Sequence, residues 1–443
     1  MNTAAERVQA DVLVLGAGIA GLQASLDLAD QGYSVVLVEK RPSIGGVMIN
    51  LSKVFPTLDC ASCITTPRMA SAAHHPRIRL FTYTEVDRLQ GSGNGFRAVL
   101  TKKPRFIEEE KCIGCKRCEE ACSVYVPDEY DHGLTARKAI SIPFTNAIPQ
   151  YPVMDEEACL LCGACARACP TQCINFLQEP RTIEVEAAAV ILTTGFELTP
   201  IDAKKEYGGG QYANVLSPLQ MERLRAPQGP YGAVLRPSDG KVPDSIAYVQ
   251  CAGSRDLSLG VPYCSRVCCM YAIKQAMLLS GSLPIADITI YYMDIRAFGK
   301  GYEQFYQNAK AMGINFVKAK VARIREDEDH NLYLRIERQE EGTGPEEVQH
   351  DLVVLSLGMV PSWKPSPDGL IPVETDTDGF LRLSQIPLRP NLTSVEGVFA
   401  AGAATGPKDI VDAIADAGAA AMAAANYVEQ LRQRPRVLTG AAR

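Results

Sequence analysis

Fifteen cysteines in a chain of 443 residues first raise the question of what their thiols do. Eight of them fall into two copies of one spacing. Cys112, Cys115, Cys118 and Cys122 follow CxxCxxCxxxC, and Cys159, Cys162, Cys165 and Cys169 repeat it, with Pro170 behind the last. A cubane iron–sulfur cluster needs four thiolates close around it, and two-residue gaps let a single loop supply three of them. Structural zinc is the competing reading, but zinc sites usually stop at four ligands in two CxxC pairs. A third set, Cys251, Cys264, Cys268 and Cys269, has the form C-x12-C-x3-CC. Its spacing leaves a further metal cluster and a reactive or buried thiol set both open. Cys60 and Cys63 make a CxxC pair for which a redox disulfide, extra cluster ligation and plain structural thiols all stand. Cys173 falls outside these sets and reads as a buried thiol.

The elements that must position these thiols begin with a nucleotide-binding frame. Asp11 to Leu15 reads as a buried parallel strand, followed by Gly16, Gly18 and Gly21 in GAGIAG, a helix through Asp30, and a second apolar strand, Ser34 to Val38, ending at Glu39. The first glycine allows the tight turn. The second lets backbone amides approach a pyrophosphate at the helix N-terminus, and the third packs helix on strand. Glu39 is placed to accept hydrogen bonds from an adenosine ribose, with Lys40 beside it.

Further segments select FAD. Gly45 and Gly46 resemble the GG that continues this fingerprint in two-dinucleotide flavoproteins. VFAAG (Val398 to Gly402), then Pro407, Lys408 and a small-residue helix from about Asp409 to Tyr427, resembles the second FAD motif of that group. Ala403 departs from it, standing where an Asp usually faces the ribityl and pyrophosphate. Ala188 to Gly195 and Asp351 to Gly358 each resemble the strand and small-residue turn that close a dinucleotide domain in pyridine nucleotide–disulfide reductase-like proteins. Two closures imply two Rossmann-like halves.

The cysteine repeats resemble a two-cluster ferredoxin, with Ser123 where such a repeat usually has Pro. In ferredoxins the fourth cysteine of each repeat serves the other cluster. That implies one [4Fe–4S] cluster on Cys112, Cys115, Cys118 and Cys169, and a second on Cys159, Cys162, Cys165 and Cys122. Phe96 to Lys103 before the repeats and Arg181 to Leu192 after them resemble one interrupted β-meander, so the module is an insertion. The expected fold is α/β, a two-dinucleotide-binding, thioredoxin reductase-like flavoprotein with an inserted double-cluster ferredoxin module. Residues 1–104, 181–242 and 363–443 build the FAD-binding domain, 105–180 the insertion, and 243–362 a second Rossmann-like domain carrying the third cysteine set.

With 47% hydrophobic and 22% charged residues the chain is a globular protein with a large core, and a net charge of −6 without long Lys/Arg blocks excludes an ordinary nucleic-acid binder. No apolar run is long enough to span a membrane, and the N-terminus lacks the pattern of a signal peptide. The expected location is therefore the cytoplasm, where thiols stay reduced and available to metals, with membrane association only through partner subunits. His74 and His75 read as surface residues, and Trp363 as a packing residue in a Pro-rich loop.

Taken together, GAGIAG with Glu39, LDCASCITTPRM (Leu58 to Met69), the double cluster motif, YVQCAGSR (Tyr248 to Arg255), YCSRVCC (Tyr263 to Cys269) and GPKDI (Gly406 to Ile410) resemble the A subunit of heterodisulfide reductase. Members of that family are flavin subunits of electron-bifurcating complexes in anaerobic metabolism. The shorter form is also similar to the A subunit of the quinone-interacting membrane-bound oxidoreductase. The resemblance implies a third [4Fe–4S] cluster on Cys251, Cys264, Cys268 and Cys269, and a flavin-tuning role for Lys408. It also implies Gly195 and Gly402 at the FAD, and partners among B/C-like redox subunits, membrane quinone-interacting subunits and ferredoxin. Family members often carry an extra N-terminal region and a terminal ferredoxin-like module, so electrons are expected to enter or leave through other subunits. The leading function is an FAD and iron–sulfur electron-transfer subunit. The alternative is a self-sufficient NAD(P)H-dependent flavin and iron–sulfur reductase, disfavoured because Cys251 to Ser254 stands where its phosphate loop would be. A scaffold with structural clusters is the third.

Overall fold

The computed structural model describes residues 6–92, 95–339, 344–364, 370–384, 388–389 and 391–433. The leading run of Val and Leu forms strand β1 (Glu6–Leu15), followed by helix α1 (Ile19–Asp30) and strand β2 (Val35–Glu39). The first strand starts earlier than its apolar core because Glu6 to Ala10 find a full set of parallel partners in residues 183 to 187. Helix α2 (Ala61–His74) and strands β3 (Ile78–Thr82), β4 (Thr84–Ser92), β5 (Gly95–Lys102) and β6 (Arg181–Leu192) complete most of the first sheet. Its order is β3-β2-β1-β6-β5-β4, with the first four strands parallel and β5 and β4 antiparallel.

Strands β5 and β6 are direct neighbours, with Lys102 opposite Arg181. Everything from residue 103 to 180 is therefore inserted between two paired strands. The insertion is closed at its neck by a bridge from Ile107 to Ile174 and holds two short helices, Arg117–Ala121 and Ala164–Ala168, which pack on each other.

A second sheet has the order β7-β13-β8-β9-β10-β11-β12, built from β7 (Val215–Leu216), β8 (Ser245–Val249), β9 (Asp287–Tyr292), β10 (Asn315–Glu326), β11 (Leu332–Arg338), β12 (Glu346–His350) and β13 (Leu352–Leu355). Helices α3 (Pro218–Arg225) and α4 (Cys268–Ser282) cover one of its faces. The two halves are tied by a small antiparallel pair, Phe196–Leu198 with Met359–Pro361. The chain then returns to the first sheet through β14 (Val398–Ala400), which lies parallel to β6, and helix α5 (Ile410–Gln433), which packs on α1. α5 runs past Tyr427 because its Ala-rich stripe, Ala413 to Val428, stays buried to its end.

Candidate functional site

A cleft of about 480 Å3 opens where the two halves meet. Gly16 and Gly18 form its floor, and Gly18 caps α1 with extended backbone, no side-chain cap bond and no acid in the first turn. The first N–H groups of α1 are thus left to an anion. Gly46 (φ +59°) crosses directly opposite. A Cβ on it would stand 2.7 Å from the Gly18 Cα, whereas a Cβ on Gly18 would find its nearest neighbour at 3.8 Å. Gly21 and Gly45 act from behind: a Cβ on Gly21 would strike the Gly16 carbonyl, and the Gly45 N–H bonds the Ala17 carbonyl at 2.8 Å.

Glu39 is buried, and its carboxylate accepts the N–H groups of Ala17 (2.8 Å) and Arg41 (2.9 Å). It shapes the glycine loop while still lining the cleft, and a carboxylate has lone pairs left for a hydroxyl. Lys40 is exposed at the same edge, and Gly195 also lines the cleft. Two buried polar atoms of the cleft, Thr194 Oγ1 and Trp363 Nε1, have no protein partner among the described residues. A large polar cofactor would answer that need, so the cleft fits a dinucleotide. Trp363 thus belongs to the site as well as packing against the first sheet.

At the second motif, Gly402 donates its N–H to Asp416 Oδ2 (2.8 Å), and the Lys408 ammonium pairs with the same oxygen at 3.1 Å. An acid reaches this turn from α5, a helix away from Ala403. Lys408 lines the cleft with its charge already matched.

Sequence reasoning missed a second cationic group. Lys274 of α4 and Glu222 of α3 form a buried ion pair on the cleft wall. The Lys274 ammonium also donates to the Lys53 carbonyl (2.8 Å), and Ser52 donates its N–H and hydroxyl to Glu222, each at 3.0 Å. Burial pulls Lys274 below the usual lysine range. It pushes Glu222 the other way, but Lys274 and Arg225 outweigh it and hold the carboxyl low. The available signal was a lysine amid the apolar helix CCMYAIKQAMLL.

In the insertion, Cys122, Cys159, Cys162 and Cys165 all line one small void of about 20 Å3, with Ile140, Met154 and Phe176 around them. Cys112, Cys115 and Cys118 form the neighbouring group. Burial lifts the Cys118 thiol to about 12, with Cys112 and Cys115 adding to the effect. Cys169 stands on that side, its Sγ 3.4 Å from Cys173, so Cys173 is buried but not solitary. Burial opposes ionisation of Cys169, yet the Cys173 N–H, the Thr171 hydroxyl and the Cys173 thiol together bring it down to about 7. The described residues include no His, Cys, Asp or Glu group tight enough for one metal ion. Thiols at the corners of a cubane stand around a cluster rather than on a single ion.

The third set meets at the strand-to-helix turn after β8. Cys251 has left-handed backbone (φ +57°), and Cys268 and Cys269 open α4. Burial pushes Cys268 well above the thiol range and Cys269 to about 11, and the neighbouring thiols add to the effect. Such thiols ionise when a cation compensates, which is the chemistry of a metal cluster. The same helix presents Val267, Tyr271, Lys274 and Gln275 to the cleft.

The fold and the two thiol-lined modules define a two-dinucleotide-binding flavoprotein with an inserted dicluster unit. A 4Fe-4S dicluster domain model matches residues 107–173 and an FAD-dependent oxidoreductase model matches residues 11–60. Thioredoxin reductases from T. acidophilum (TM-score 0.53, 18% identity, 96% of this chain and 99% of that one) and Lactococcus lactis (0.53, 14%, 95% and 99%) share the fold. The A subunit of the H(2):CoB-CoM heterodisulfide,ferredoxin reductase of Methanothermobacter marburgensis is 44% identical over 436 residues, 96% of this chain and 65% of that protein. The iron-sulfur A subunit of the CoB--CoM heterodisulfide reductase of Methanocaldococcus jannaschii is 44% identical over 424 residues, 94% and 64%. The chain is similar to heterodisulfide reductase A subunits along nearly its whole length, and it spans about 65% of the length of these relatives. No helix among the described residues is long and apolar enough to cross a membrane.

Proposed function

We propose that this chain relays electrons between an FAD in the interdomain cleft and three [4Fe–4S] clusters, as one subunit of a heterodisulfide reductase-like oxidoreductase. FAD exchanges electrons in pairs or singly, and a cluster exchanges them singly. The observation that carries the reading is α4: its first turn holds Cys268 and Cys269, and its next two turns place Tyr271, Lys274 and Gln275 in the cleft wall. One rigid element thus spans both groups.

The chain's own residues have separable tasks. Gly18, Gly46 and the N-terminus of α1 cradle the pyrophosphate, and Glu39 holds the loop and meets the ribose. Of the three N–H donors on Lys274, two are spent on Glu222 and Lys53, which leaves one for a cofactor atom. The ion pair with Glu222 fixes that donor in place before the cofactor arrives. Cys112, Cys115, Cys118 and Cys169 hold one cluster, Cys159, Cys162, Cys165 and Cys122 the second, and the set opening α4 the third. Partner redox subunits would take up the electrons, with ferredoxin, which the names of several relatives include, as a further exchange partner.

The test is an anaerobic reductive titration of the purified chain followed by visible absorption and electron paramagnetic resonance. Dithionite should bleach the flavin and bring up three distinct cluster signals, while NADH leaves both slow. Rapid, saturable bleaching by NADH would replace this reading with a self-sufficient reductase. Zinc in place of iron would end it.

A further inference from the structure

Cys60 and Cys63 belong to neither ferredoxin repeat nor to the set opening α4. The stretch before them runs along the flavin cleft, whose wall includes Leu51, Lys53, Val54 and Phe55. It then turns back, so that Lys53 and Cys60 pair in an antiparallel bridge. Cys60 is the N-cap of α2, and its Sγ accepts the N–H of Cys63 at 3.3 Å. A thiol in this role replaces the usual Ser, Thr or Asp cap. Cys60 is half-buried, and Cys63, one turn on, is exposed.

We propose that Cys60 and Cys63 form a reversible thiol–disulfide couple beside the flavin cleft, which exchanges two electrons with a low-molecular-weight disulfide. Cys60 sits outside the helix as its extended N-cap, and the Cys63 backbone already reaches the Cys60 sulfur, which puts the two cysteines closer than an ordinary i,i+3 pair and within the approach a disulfide requires. Their roles differ. The Cys63 thiol, by hydrogen bonding, holds Cys60 below the ordinary thiol value. The N–H groups of Cys63 and Ser62 and the Lys53 ammonium help, against the opposing effect of burial. The same bond pushes Cys63 up. Cys60, whose sulfur caps the N-terminus of α2 and accepts the Cys63 N–H, is therefore the attacking sulfur. Its thiolate displaces one thiolate from the disulfide RSSR, forming a Cys60–S–S–R bond. Cys63 then gives up its proton and attacks the Cys60 sulfur, releasing the second RS group. The dithiol is oxidised by two electrons, and RSSR becomes two RSH.

Lys53, Val54 and Phe55 line the cleft at the start of the loop that ends at Cys60, and Lys53 is bridged to Cys60, so closing this disulfide acts next to Lys53, whose carbonyl anchors Lys274. The inference does not rest on the flavin reading, because exchange with a dissolved disulfide needs no electrons from the cleft.

Glutathione is the probe. The anaerobically purified holoprotein is equilibrated across ratios of reduced to oxidised glutathione, alkylated and digested with trypsin. Cleavage after Lys53 and Arg68 releases residues 54–68, which carry Cys60 and Cys63 and no other cysteine. The expected result is conversion of the doubly alkylated peptide into an unalkylated one two hydrogens lighter than the dithiol peptide. The oxidised-to-reduced ratio should change tenfold for each tenfold change in disulfide over squared thiol. In Cys63→Ser, Cys60 should accumulate as the glutathione mixed disulfide, with flavin content unchanged as the check on folding. A peptide that stays doubly alkylated at every ratio overturns the proposal. So do thiols that resist alkylation and travel with additional iron.

Discussion

Gly18 and Gly46 face each other across the cleft floor, yet they should fail in different ways when each is replaced by alanine. The Gly18 backbone is extended (φ −74°), and a Cβ there meets only the Gly46 Cα, at 3.8 Å, an ordinary contact. The folded chain accommodates that methyl group, and a compatible Gly→Ala change stabilises by about 0.4–1 kcal/mol through the unfolded state. The space it fills is where a pyrophosphate must approach the first amides of α1. Losing two charge-assisted bonds of about 1.5–3 kcal/mol each weakens FAD binding by roughly two to four powers of ten. Gly46→Ala instead places its Cβ 2.7 Å from a backbone atom, at φ +59°. Left-handed backbone alone costs a non-glycine residue about 1–2 kcal/mol, and the two loops must also separate. The assay is flavin-to-protein stoichiometry by absorbance, paired with thermal unfolding of the flavin-stripped protein. Gly18→Ala should lose flavin and melt no earlier than the parent, whereas Gly46→Ala should lose flavin and melt earlier. Stoichiometric flavin in Gly18→Ala would refute the cradle, and parental melting of flavin-free Gly46→Ala would refute the contact between the loops.

Lys274→Met leaves Glu222 buried without its partner and should destabilise the chain by about 3–5 kcal/mol, while the double variant with Glu222→Gln recovers most of the loss; chemical denaturation followed by fluorescence of Trp363 reads both. Replacing Cys162 with Ser should lower iron by roughly a third of about twelve atoms, and Cys251→Ser should remove the signal of a different cluster, by the stoichiometry of four irons each; iron analysis with paramagnetic resonance distinguishes them. His350 is buried, and desolvation lowers it from 6.5 to about 4. The unfolded chain therefore binds a proton that the folded one refuses, and stability present above pH 6.5 falls by about 3 kcal/mol as the pH drops towards 4. His350→Gln should flatten that part of the pH–stability profile.

How much of this could be read beforehand depended on whether the chemistry was local in the chain. The glycine loop, its strand and Glu39 occupy one continuous stretch, so spacing alone predicted the turn. The cysteine repeats were equally local, and the pairing of Lys102 with Arg181 follows the interrupted meander that their flanks suggested. Three features did not show. Lys274 and Glu222 lie on different helices, and a pair so distant has no spacing to betray it; the only hint was a charge inside an apolar helix. Asp416 reaches the Gly402 N–H from α5, a contact that no spacing in the motif points to. Cys173 looked unpartnered because its neighbour, Cys169, was assigned wholly to a cluster, whereas the turn between them brings the two sulfurs into contact.

The insertion is held by more than its two ends. Asn50, at the end of the 3-10 turn Gly46–Asn50 on the cleft side, donates to the Tyr130 carbonyl at 3.0 Å, and the Tyr130 hydroxyl donates to the Ile49 carbonyl at 2.9 Å. From the other half of the molecule, Arg223 of α3 pairs with Asp131 at 2.8 Å and lays its guanidinium over the Tyr130 ring at 4.1 Å. Gln220, one turn earlier on α3, donates to the His132 carbonyl. The segment from Tyr130 to His132 therefore touches the flavin-side loop and the second half at once. A domain on two flexible strands would be free to swing; here the neck fixes one end of the module, and a buried, hydrogen-bonded ion pair fixes its middle. Two exposed or half-buried ions would add little, but Arg223 is 1% exposed and every N–H direction it uses is partnered. Its loss would strand a charge in the interior. What this arrangement secures is position. Electron exchange between a cleft and clusters in separate modules depends on their separation staying constant, and α3 sets it from both sides, through Arg223 to the inserted module and through Glu222 to Lys274 on the helix that opens with Cys268 and Cys269.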